Sequence, residues 1–246
     1  MIRSIGVVIP ARDEEALLGA ALSAVLAARA GLVQAEPEWA EPGRVRVVLV
    51  LDACTDGSLE VARSFGSSIE VLEIDVAQVG RARRAGVELL LGRHDPAVGP
   101  SGPGATGHPD ARRDLWICST DADTVVPEHW LRDHLQAARD GAEVAVGRVV
   151  PRAADVGSAL LATWRREHEG GGRHVYGANL GFRADAYRAV GGFPPLSVGE
   201  DVEFVRAAEQ NGAAVLDLPF SVVQTSGRRD GRTPGGFAGY LRTLVD

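Results

Sequence analysis

The sequence predicts an α/β fold, in which a mostly parallel sheet is covered by helices on both faces. Two observations predict it. Short apolar runs alternate with amphipathic segments along the first half of the chain, and the first apolar run is continuous. A continuous run such as residues 5–10 is typical of a strand buried on both faces. Strands that alternate with helices favour parallel pairing, because each helix returns the chain across the sheet.

The elements follow in order from these signals. Residues 14–29 are predicted to be helical because their leucine, alanine and valine side chains recur at helical spacing. The predicted strands are residues 5–10, 45–51, 69–74 and 115–119, and the predicted helices are 14–29, 58–65, 81–91 and 130–139.

Two segments interrupt this alternation. Residues 94–109, rich in Gly and Pro, are expected to form an exposed loop, and residues 35–43 a smaller insertion. The rhythm changes after Val150, where a helical stretch at 156–169 precedes three glycines, 170–172. An amphipathic terminal helix is expected to dock on the body, although subunit pairing or membrane contact are alternatives; its apolar residues are Phe237, Tyr240, Leu241 and Leu244.

Composition bounds the class of protein. A chain of 246 residues with 45% hydrophobic and 24% charged residues is expected to form one globular domain. Its net charge of -7 argues against nonspecific nucleic-acid binding. Cys54 and Cys118 are interpreted as buried free thiols. The sequence shows neither a signal peptide nor an uninterrupted apolar stretch of transmembrane length, so we expect a cytoplasmic protein, with peripheral membrane contact left open.

Polar residues follow three of the predicted strands, where ligands bind in open α/β sheets. Residues 10–15 follow the first strand and residues 52–58 the second, and Asp121-Ala122-Asp123 follows the fourth. Two carboxylates separated by one small residue suit Mg²⁺ or Mn²⁺ shared with substrate phosphates, and the small residue lets a nucleoside approach the backbone. The alternative is an Asx turn that caps the next helix.

Two further features suggest a nucleotide. Asp52 is suited to accept a hydrogen bond from a base, although it may instead brace the turn at 55–58. Arg81, Arg83 and Arg84 lie at a helix start, which repels cations, so unpaired arginines there suggest a bound anion. A solvated basic face is the alternative.

These motifs occur together in order. They are IPARDEE at 9–15, Asp52 in DACTDGS, ARRAG at 82–86, the DAD triplet at 121–123, GANLGFR at 177–183 and GEDVE at 199–203. The set resembles the family 2 glycosyltransferases, enzymes of the GT-A fold, over roughly the whole chain. The resemblance implies one GT-A-like domain, 1–246, with a nucleotide-sugar donor half at 1–125 and an acceptor and catalytic half at 126–246.

The resemblance also implies residue roles. The acceptor and sugar site would include Gly177, Ala178, Asn179 and Glu200, and Asp201 would be the general base. Asp123 and Asp121 would hold Mg²⁺ or Mn²⁺. Many relatives carry a histidine after the last strand, but residues 223–226 here have none. Ser226, Arg228 and Arg229 are candidates to hold the diphosphate instead, and a mobile surface tail is the alternative for the two arginines. The nucleotide-sugar pocket would be lined by Pro10, Ala11, Arg12, Glu14, Asp52, Arg83, Asp121 and Ala122.

The implied activity is transfer of a hexose from a UDP- or GDP-sugar to an acceptor hydroxyl, with inversion and with a divalent cation. The acceptor is open, a lipid-linked one included. Asp201 also suits helix capping, which is compatible with catalysis. The alternatives are a noncatalytic nucleotide-sugar-binding protein and a sugar-phosphate nucleotidylyltransferase. The latter expects a glycine-rich pyrophosphate loop near the amino terminus, which residues 10–15 lack.

Overall fold

The computed structural model describes most of the chain. The described residues are 1–92, 94–95, 99–100, 114–169, 172–229, 231 and 236–244. Most of the loop predicted at 94–109 and two of the three glycines at 170–172 therefore lie outside the described residues.

The elements of the first half match the predicted alternation of strands and helices. Helix α1 runs six residues beyond its predicted end, and the segment after it contains a short 3-10 turn, Pro37–Ala40. The elements are β1 (Ser4–Ala11), α1 (Glu15–Ala35), β2 (Val45–Asp52), α2 (Ser58–Ser64), β3 (Glu70–Ile74), α3 (Val79–Leu90), the short β4 (His94–Asp95) and β5 (Gly99–Pro100), β6 (Leu115–Ser119), β7 (Thr124–Val125) and α4 (Trp130–Arg139).

The second half contains three strands that the sequence patterns did not identify, β8, β9 and β10. Its elements are β8 (Val144–Pro151), α5 (Ala153–Glu169), β9 (Leu180–Arg183), α6 (Ala184–Ala189), α7 (Glu200–Gln210), β10 (Val215–Thr225) and α8 (Phe237–Thr243). A 3-10 turn, Gly177–Asn179, precedes β9.

One sheet joins both halves, with the strand order β3-β2-β1-β6-β9-β8-β10-β7. Strands β3, β2, β1 and β6 are mutually parallel, as predicted, and β8 is parallel to β10. Strand β9 runs antiparallel to both β6 and β8, so the complete sheet is mixed. The carboxyl ends of β1, β2 and β6 therefore lie along one edge, where the predicted site loops begin.

Both faces of the sheet are buried at its centre, as the apolar run at residues 5–10 predicted. The adjacent residues Val7 and Val8 of β1 are both fully buried but belong to different core clusters. Because neighbouring strand residues point to opposite faces, one cluster lies on each side of the sheet. Gly86 of α3 permits close packing there, since a Cβ would lie 2.3 Å from a Val8 methyl group.

Helix α1 was not foreseen at its full length. Among the described residues it is the one helix long and apolar enough to cross a membrane. This helix corrects the expectation that no apolar stretch has transmembrane length. Its buried stripe, which includes Leu18, Leu22, Val25 and Leu32, packs into the core of the sheet. This packing is that of a core helix.

The terminal helix docks on the body, as predicted. Leu241 of α8 is fully buried in a small cluster with Val156, Leu160 and Trp164 of α5. Helix α5 is kinked at Gly157, where φ is 74°. The two cysteines are free, with Cys118 buried and Cys54 half-buried.

Candidate functional site

A cleft of about 620 Å³ lies at the carboxyl edge of the sheet. Loops from both halves of the chain form its walls, and α8 contributes to it. With one exception, Asn179, every residue predicted for the site lines this cleft: Pro10, Ala11, Arg12, Glu14, Asp52, Arg83, Asp121, Ala122, Asp123, Gly177, Ala178, Glu200, Asp201, Ser226 and Arg228.

Asp52 holds the loop at residues 76–78, for which the sequence predicted no role. Its Oδ1 accepts hydrogen bonds from the backbone N–H of Val76 and Ala77, both at 2.8 Å, and its Oδ2 accepts one from Gln78 at 2.8 Å. The bracing predicted as the alternative role therefore exists, but it acts on residues 76–78 and not on the turn at 55–58. A carboxylate has about four acceptor positions, so one remains for a ligand N–H.

Arg83 is buried between two carboxylates. Its guanidinium donates to Asp121 Oδ1 through Nη2 and to Glu200 Oε1 through Nη1. The suggestion that an unpaired arginine here marks a bound anion is therefore wrong for Arg83, because the protein itself supplies the counter-charges. Gly177 permits this position, since a Cβ there would lie 2.3 Å from the Arg83 Cζ. Arg83 thus joins the donor half to the acceptor half.

Asp123 lies in a second charged group at the cleft floor. Its Oδ1 accepts the Thr225 hydroxyl at 3.2 Å, and its Oδ2 lies 3.2 Å from Nη2 of Arg228. Arg228 also donates to both carboxylate oxygens of Glu14, with Nη1 at 2.7 Å from Oε2. Burial raises the pKa of Asp123 to about 6, with repulsion from Asp121 adding to this effect and Arg228 opposing it.

The cleft has a surplus of acidic groups. Among its described lining residues there are six carboxylates and three arginines. A buried carboxylate close to others is stabilised by a cation, and carboxylate oxygens are the ligands that Mg²⁺ and Mn²⁺ prefer. The donor set of Asp121 and Asp123 therefore fits a divalent cation. The six acids are Glu14, Asp52, Asp121, Asp123, Glu200 and Asp201, and the arginines are Arg12, Arg83 and Arg228.

Asp201 lies in the first turn of α7 and lines the cleft. Its Oδ2 accepts the Gly177 N–H at 2.6 Å, and its Oδ1 accepts the Val202 N–H at 2.8 Å. The residue that caps α7 is Gly199, so Asp201 lies within the first turn of the helix and not at the capping position. The adjacent Glu200 is buried and tied to Arg83, and burial raises its pKa while Arg83 opposes the shift. Of the two acids, Asp201 is the one whose side chain is open to a substrate.

Asn179 does not lie with the other site residues. Its Oδ1 accepts Trp130 Nε1 at 2.8 Å and lies 3.1 Å from His134 Nε2. Its Nδ2 donates to the carbonyl groups of Arg148 and Ser221, both at 2.9 Å. All these contacts are in the core, so the structure gives no support to a role for Asn179 in the acceptor site. Its side chain instead links α4 to β8 and β10.

Residues 223–226 end β10 beside Asp123. The Ser226 N–H donates to the Asp123 carbonyl at 3.2 Å, and the Ser226 hydroxyl accepts the Arg228 N–H at 3.3 Å. Ser226 therefore holds the segment that carries Arg228. In place of the histidine that the resemblance implies after the last strand, this chain has the hydroxyl groups of Thr225 and Ser226. Beside them lies the Arg228 guanidinium, which is paired with Glu14 and Asp123.

Several lining residues carried no sequence signal. Gln78 and Val79 reach the cleft because Asp52 holds their loop, and Thr225 because β10 ends there. His174 and Tyr176 line the cleft from the segment before the 3-10 turn Gly177–Asn179. Aromatic residues Phe237 and Tyr240 arrive from α8, where amphipathic spacing had predicted docking but not a place in the cleft.

A separate acidic group lies between the loops that follow β1 and β2. Ligand atoms of Asp13, Cys54 and Asp56 lie within 4.8 Å of one another. Asp13 accepts the Thr55 N–H at 2.6 Å, and Asp56 accepts the N–H groups of Glu15 and Ser58. These contacts fasten the loop after β1 to the loop after β2.

Comparison with known proteins identifies the family. Residues 6–190, more than half of the chain, match the model of glycosyl transferase family 2. The chain belongs to this family. The resemblance seen in the ordered motifs is thereby confirmed. No curated protein matches the chain.

Solved structures of glycosyltransferases share the fold of this family member. TarS 1–349 from S. aureus, in complex with UDP-GlcNAc, has 14% identity and a TM-score of 0.61, over 93% of this chain and 60% of that chain. The mannosyltransferase PcManGT from Pyrobaculum calidifontis, in complex with GDP-Man and Mn²⁺, has 15% identity and a TM-score of 0.61, over 100% and 69%.

A third structure is glucosyl-3-phosphoglycerate synthase from Mycobacterium tuberculosis, in complex with Mn²⁺, UDP and phosphoglyceric acid. It has 15% identity and a TM-score of 0.56, over 99% of this chain and 77% of that chain. The chain spans only 36% of a longer TarS structure. At such identities the likeness shows the GT-A fold, which confirms the predicted fold class.

Proposed function

We propose that this protein transfers a hexose from a nucleotide-diphosphate sugar to an acceptor hydroxyl, with inversion at the anomeric carbon and with a divalent cation. One observation carries the proposal. The loops after β1, β2 and β6 and the start of α7 bring Glu14, Asp52, Asp123 and Asp201 to a single cleft. The solved relatives in complex with UDP-GlcNAc and with GDP-Man support a nucleotide-sugar donor.

The donor base and sugar would occupy the side of the cleft formed by β1 and β2. Pro10, Ala11 and Arg12 would border the nucleoside, and Asp52 would use its remaining acceptor position for a base N–H. Asp121 would contact the ribose or the cation, and Ala122 leaves room for the nucleoside. Arg228 and Ser226 would contact the diphosphate, since a guanidinium can hold phosphate oxygens in bidentate fashion.

The negative charge of the cleft supports a bound cation. A nucleoside diphosphate brings negative charge to a cleft already rich in carboxylates, and binding is unfavourable unless that charge is neutralised. Asp123 and Asp121 would hold Mg²⁺ or Mn²⁺, which would stabilise charge on the leaving diphosphate as a Lewis acid. Two relatives are in complex with Mn²⁺, which supports this assignment.

Asp201 would act as the general base. Its carboxylate takes the proton from the acceptor hydroxyl as that oxygen bonds to the anomeric carbon. The bond from this carbon to the phosphate oxygen breaks, and the nucleoside diphosphate leaves with the electron pair. A covalent intermediate would need a second carboxylate beneath the anomeric carbon. Glu200 is unsuited to that role because it is buried and paired with Arg83. Single displacement with inversion follows.

The proposal also includes the cellular location of the protein and its contacts with other macromolecules and membranes. We infer a cytoplasmic protein that binds no nucleic acid, in agreement with its net charge of -7. A peripheral membrane contact is compatible with an amphiphilic acceptor.

A ligand screen tests the proposal. Bound ligand raises the unfolding temperature, so UDP, GDP, ADP and CDP should be compared with and without Mn²⁺. We expect one diphosphate to raise it by several degrees only when Mn²⁺ is present. Transfer from the corresponding sugar nucleotide, followed by NMR of the anomeric proton before mutarotation, should then show inversion. Absence of any cation-dependent shift would refute the donor site, and a retained configuration would refute single displacement.

A further inference from the structure

An aliphatic rim borders the acceptor side of the cleft; we define it as Leu196, Val198 and Val202. Their exposed fractions are 39%, 42% and 45%, in a protein whose other valines and leucines are mostly buried. Val198 and Val202 line the cleft itself, and Val202 directly follows Asp201 in α7. Apolar side chains grouped at the mouth of a cleft are typical of a ligand or partner surface.

Aromatic rings extend this apolar surface. Tyr176 precedes Gly177, whose N–H bonds to Asp201, so its ring lies close to the proposed base. Phe237 and Tyr240 of α8 line the same cleft, with the Phe237 ring centroid 5.9 Å from that of Tyr176. All three rings pack against Trp164, which holds them at the cleft.

The arginines of the described cleft lining leave little unpaired positive charge beside Asp201. Of the three arginines among the described lining residues, Arg83 is paired with Asp121 and Glu200. Arg228 is paired with Glu14 and Asp123, and Arg12 follows β1 on the donor side. The acids Glu200 and Asp201 lie at the acceptor side itself. An anionic acceptor would therefore meet carboxylates there, which is unfavourable.

We propose that the acceptor is a neutral amphiphile, with a hydroxyl on its head group and an aliphatic chain that lies along the aliphatic rim and the rings of Tyr176, Phe237 and Tyr240. This inference rests on the proposed function and names the acceptor class for the same site. The hydroxyl must reach Asp201, and the surface next to Asp201 is apolar and exposed. Val198 and Val202 are then specificity-determining residues, because they recognise the chain and not the reacting atoms.

The chain should contribute measurably to binding. Each methylene group removed from water strengthens binding roughly fourfold. An octyl chain of which only a few methylene groups reach the rim should thus bind at least about tenfold more tightly than a methyl group on the same head.

The experiment compares n-octyl β-D-glucoside, below its micelle-forming concentration, with methyl β-D-glucoside. Both carry the same head group, so a difference in calorimetric affinity reports the chain alone. Titrations use the full chain with and without Mn²⁺ and the best nucleotide diphosphate. The variants Val198→Thr and Val202→Thr keep the branched shape and replace a methyl group by a hydroxyl. Val71→Thr on β3, 38% exposed and outside the cleft lining, is the matched control.

We expect at least tenfold tighter binding of the octyl compound by the wild type and by Val71→Thr, and loss of most of this advantage in the Val198→Thr/Val202→Thr double variant. Equal affinity for the two glucosides, equal losses in all variants, or tighter binding of glycerol 3-phosphate would overturn the proposal. So would dissociation of a dimer in the double variant, since the rim would then be a subunit interface. Nucleotide-induced thermal shifts separate the two hypotheses, because they test the donor site without any acceptor.

Discussion

The donor half and the acceptor half hold their polar side chains in different ways. In the donor half, Asp52 ends β2 and accepts backbone N–H groups of the loop that follows the neighbouring parallel strand β3. In the acceptor half, Asp201 and Asn179 bond across the fold, to Gly177 and to Trp130 respectively. The donor side is thus built from contacts between loops that follow adjacent parallel strands, and the acceptor side from contacts of the turn before β9 with α4 and α7.

Ion pairs join these two halves at the cleft. Arg83 of the donor half meets Glu200 of the acceptor half, and Glu14 meets Arg228. Because these groups are largely buried, the halves cannot separate at the cleft without leaving a charge unpaired. The comparison teaches that the two sides of the cleft form one charged structure, although their local architectures differ.

Asp201→Asn tests the chemical role assigned to the acceptor half. Asparagine cannot take the acceptor proton, so turnover should fall by roughly 10²–10⁴-fold while donor binding is retained. Steady-state transfer and calorimetric donor titration measure the two effects. Glu203→Gln, two residues along α7, is the matched control and should keep full activity. Full turnover by the Asp201 variant would remove this residue as the base.

Arg83→Met tests whether the halves depend on the shared ion pairs. Removal of one partner leaves Glu200 as a buried charge, and we expect a loss of about 3–5 kcal/mol in the free energy of unfolding. Urea denaturation measures this loss. Arg81→Met, an exposed arginine on the same helix, should cost much less. A loss below about 1 kcal/mol for Arg83 would show that the halves do not rely on this contact.

Asp123→Ala tests the cation site between the halves. We expect Mn²⁺-dependent donor binding to weaken by about a hundredfold or more, since even indirect partners of a metal contribute 10–100-fold. Calorimetry with and without Mn²⁺ measures this loss of donor affinity. The control is Glu60→Gln on α2, where the side chain is 70% exposed. Unchanged binding would contradict the metal role.

The pH dependence of stability gives the smallest expected effect. The pKa of Asp123 is raised from 3.8 to about 6 in the folded protein, chiefly by burial. A raised carboxyl pKa lowers stability as the pH increases through this interval, and the whole cost is present above pH 6. In a chelating buffer, Asp123→Asn should therefore unfold several degrees higher than the wild type at pH 8, with little difference at pH 4.

Differential scanning calorimetry at the two pH values measures the effect, at roughly 2–4 °C per kcal/mol for a domain of this size. A larger gain at pH 4 than at pH 8 would contradict the stated sign.

The parallel part of the sheet was predictable because β1, β2 and β6 are buried on both faces and are therefore rich in apolar residues. These strands and the edge strand β3, which is largely exposed, were identified within a few residues. Strand β10 was not identified, because its outer residues are exposed and its register shifts between Leu218 and Val222. Strand β9 has only four residues, too few for a periodic signal.

The site residues divide in the same way. Asp52, Asp121 and Asp123 follow predicted strands, so their common edge could be derived before the structure was known. The pairing of Arg83 with Glu200 joins residues 117 positions apart, and no local pattern encodes it. Asn179 shows the converse, since its motif suggested a ligand contact but its side chain satisfies core groups from α4, β8 and β10.

The sequence by itself determined the strand-helix alternation, the family and the edge at which acidic side chains collect, because these depend on local periodicity and on the ends of parallel strands. Only the tertiary structure decided which charges neutralise one another, which predicted residue turns into the core, and that aromatic residues of α8 reach the cleft. Those outcomes depend on packing between distant segments, where burial makes each polar group take the partner that the folded chain brings within reach.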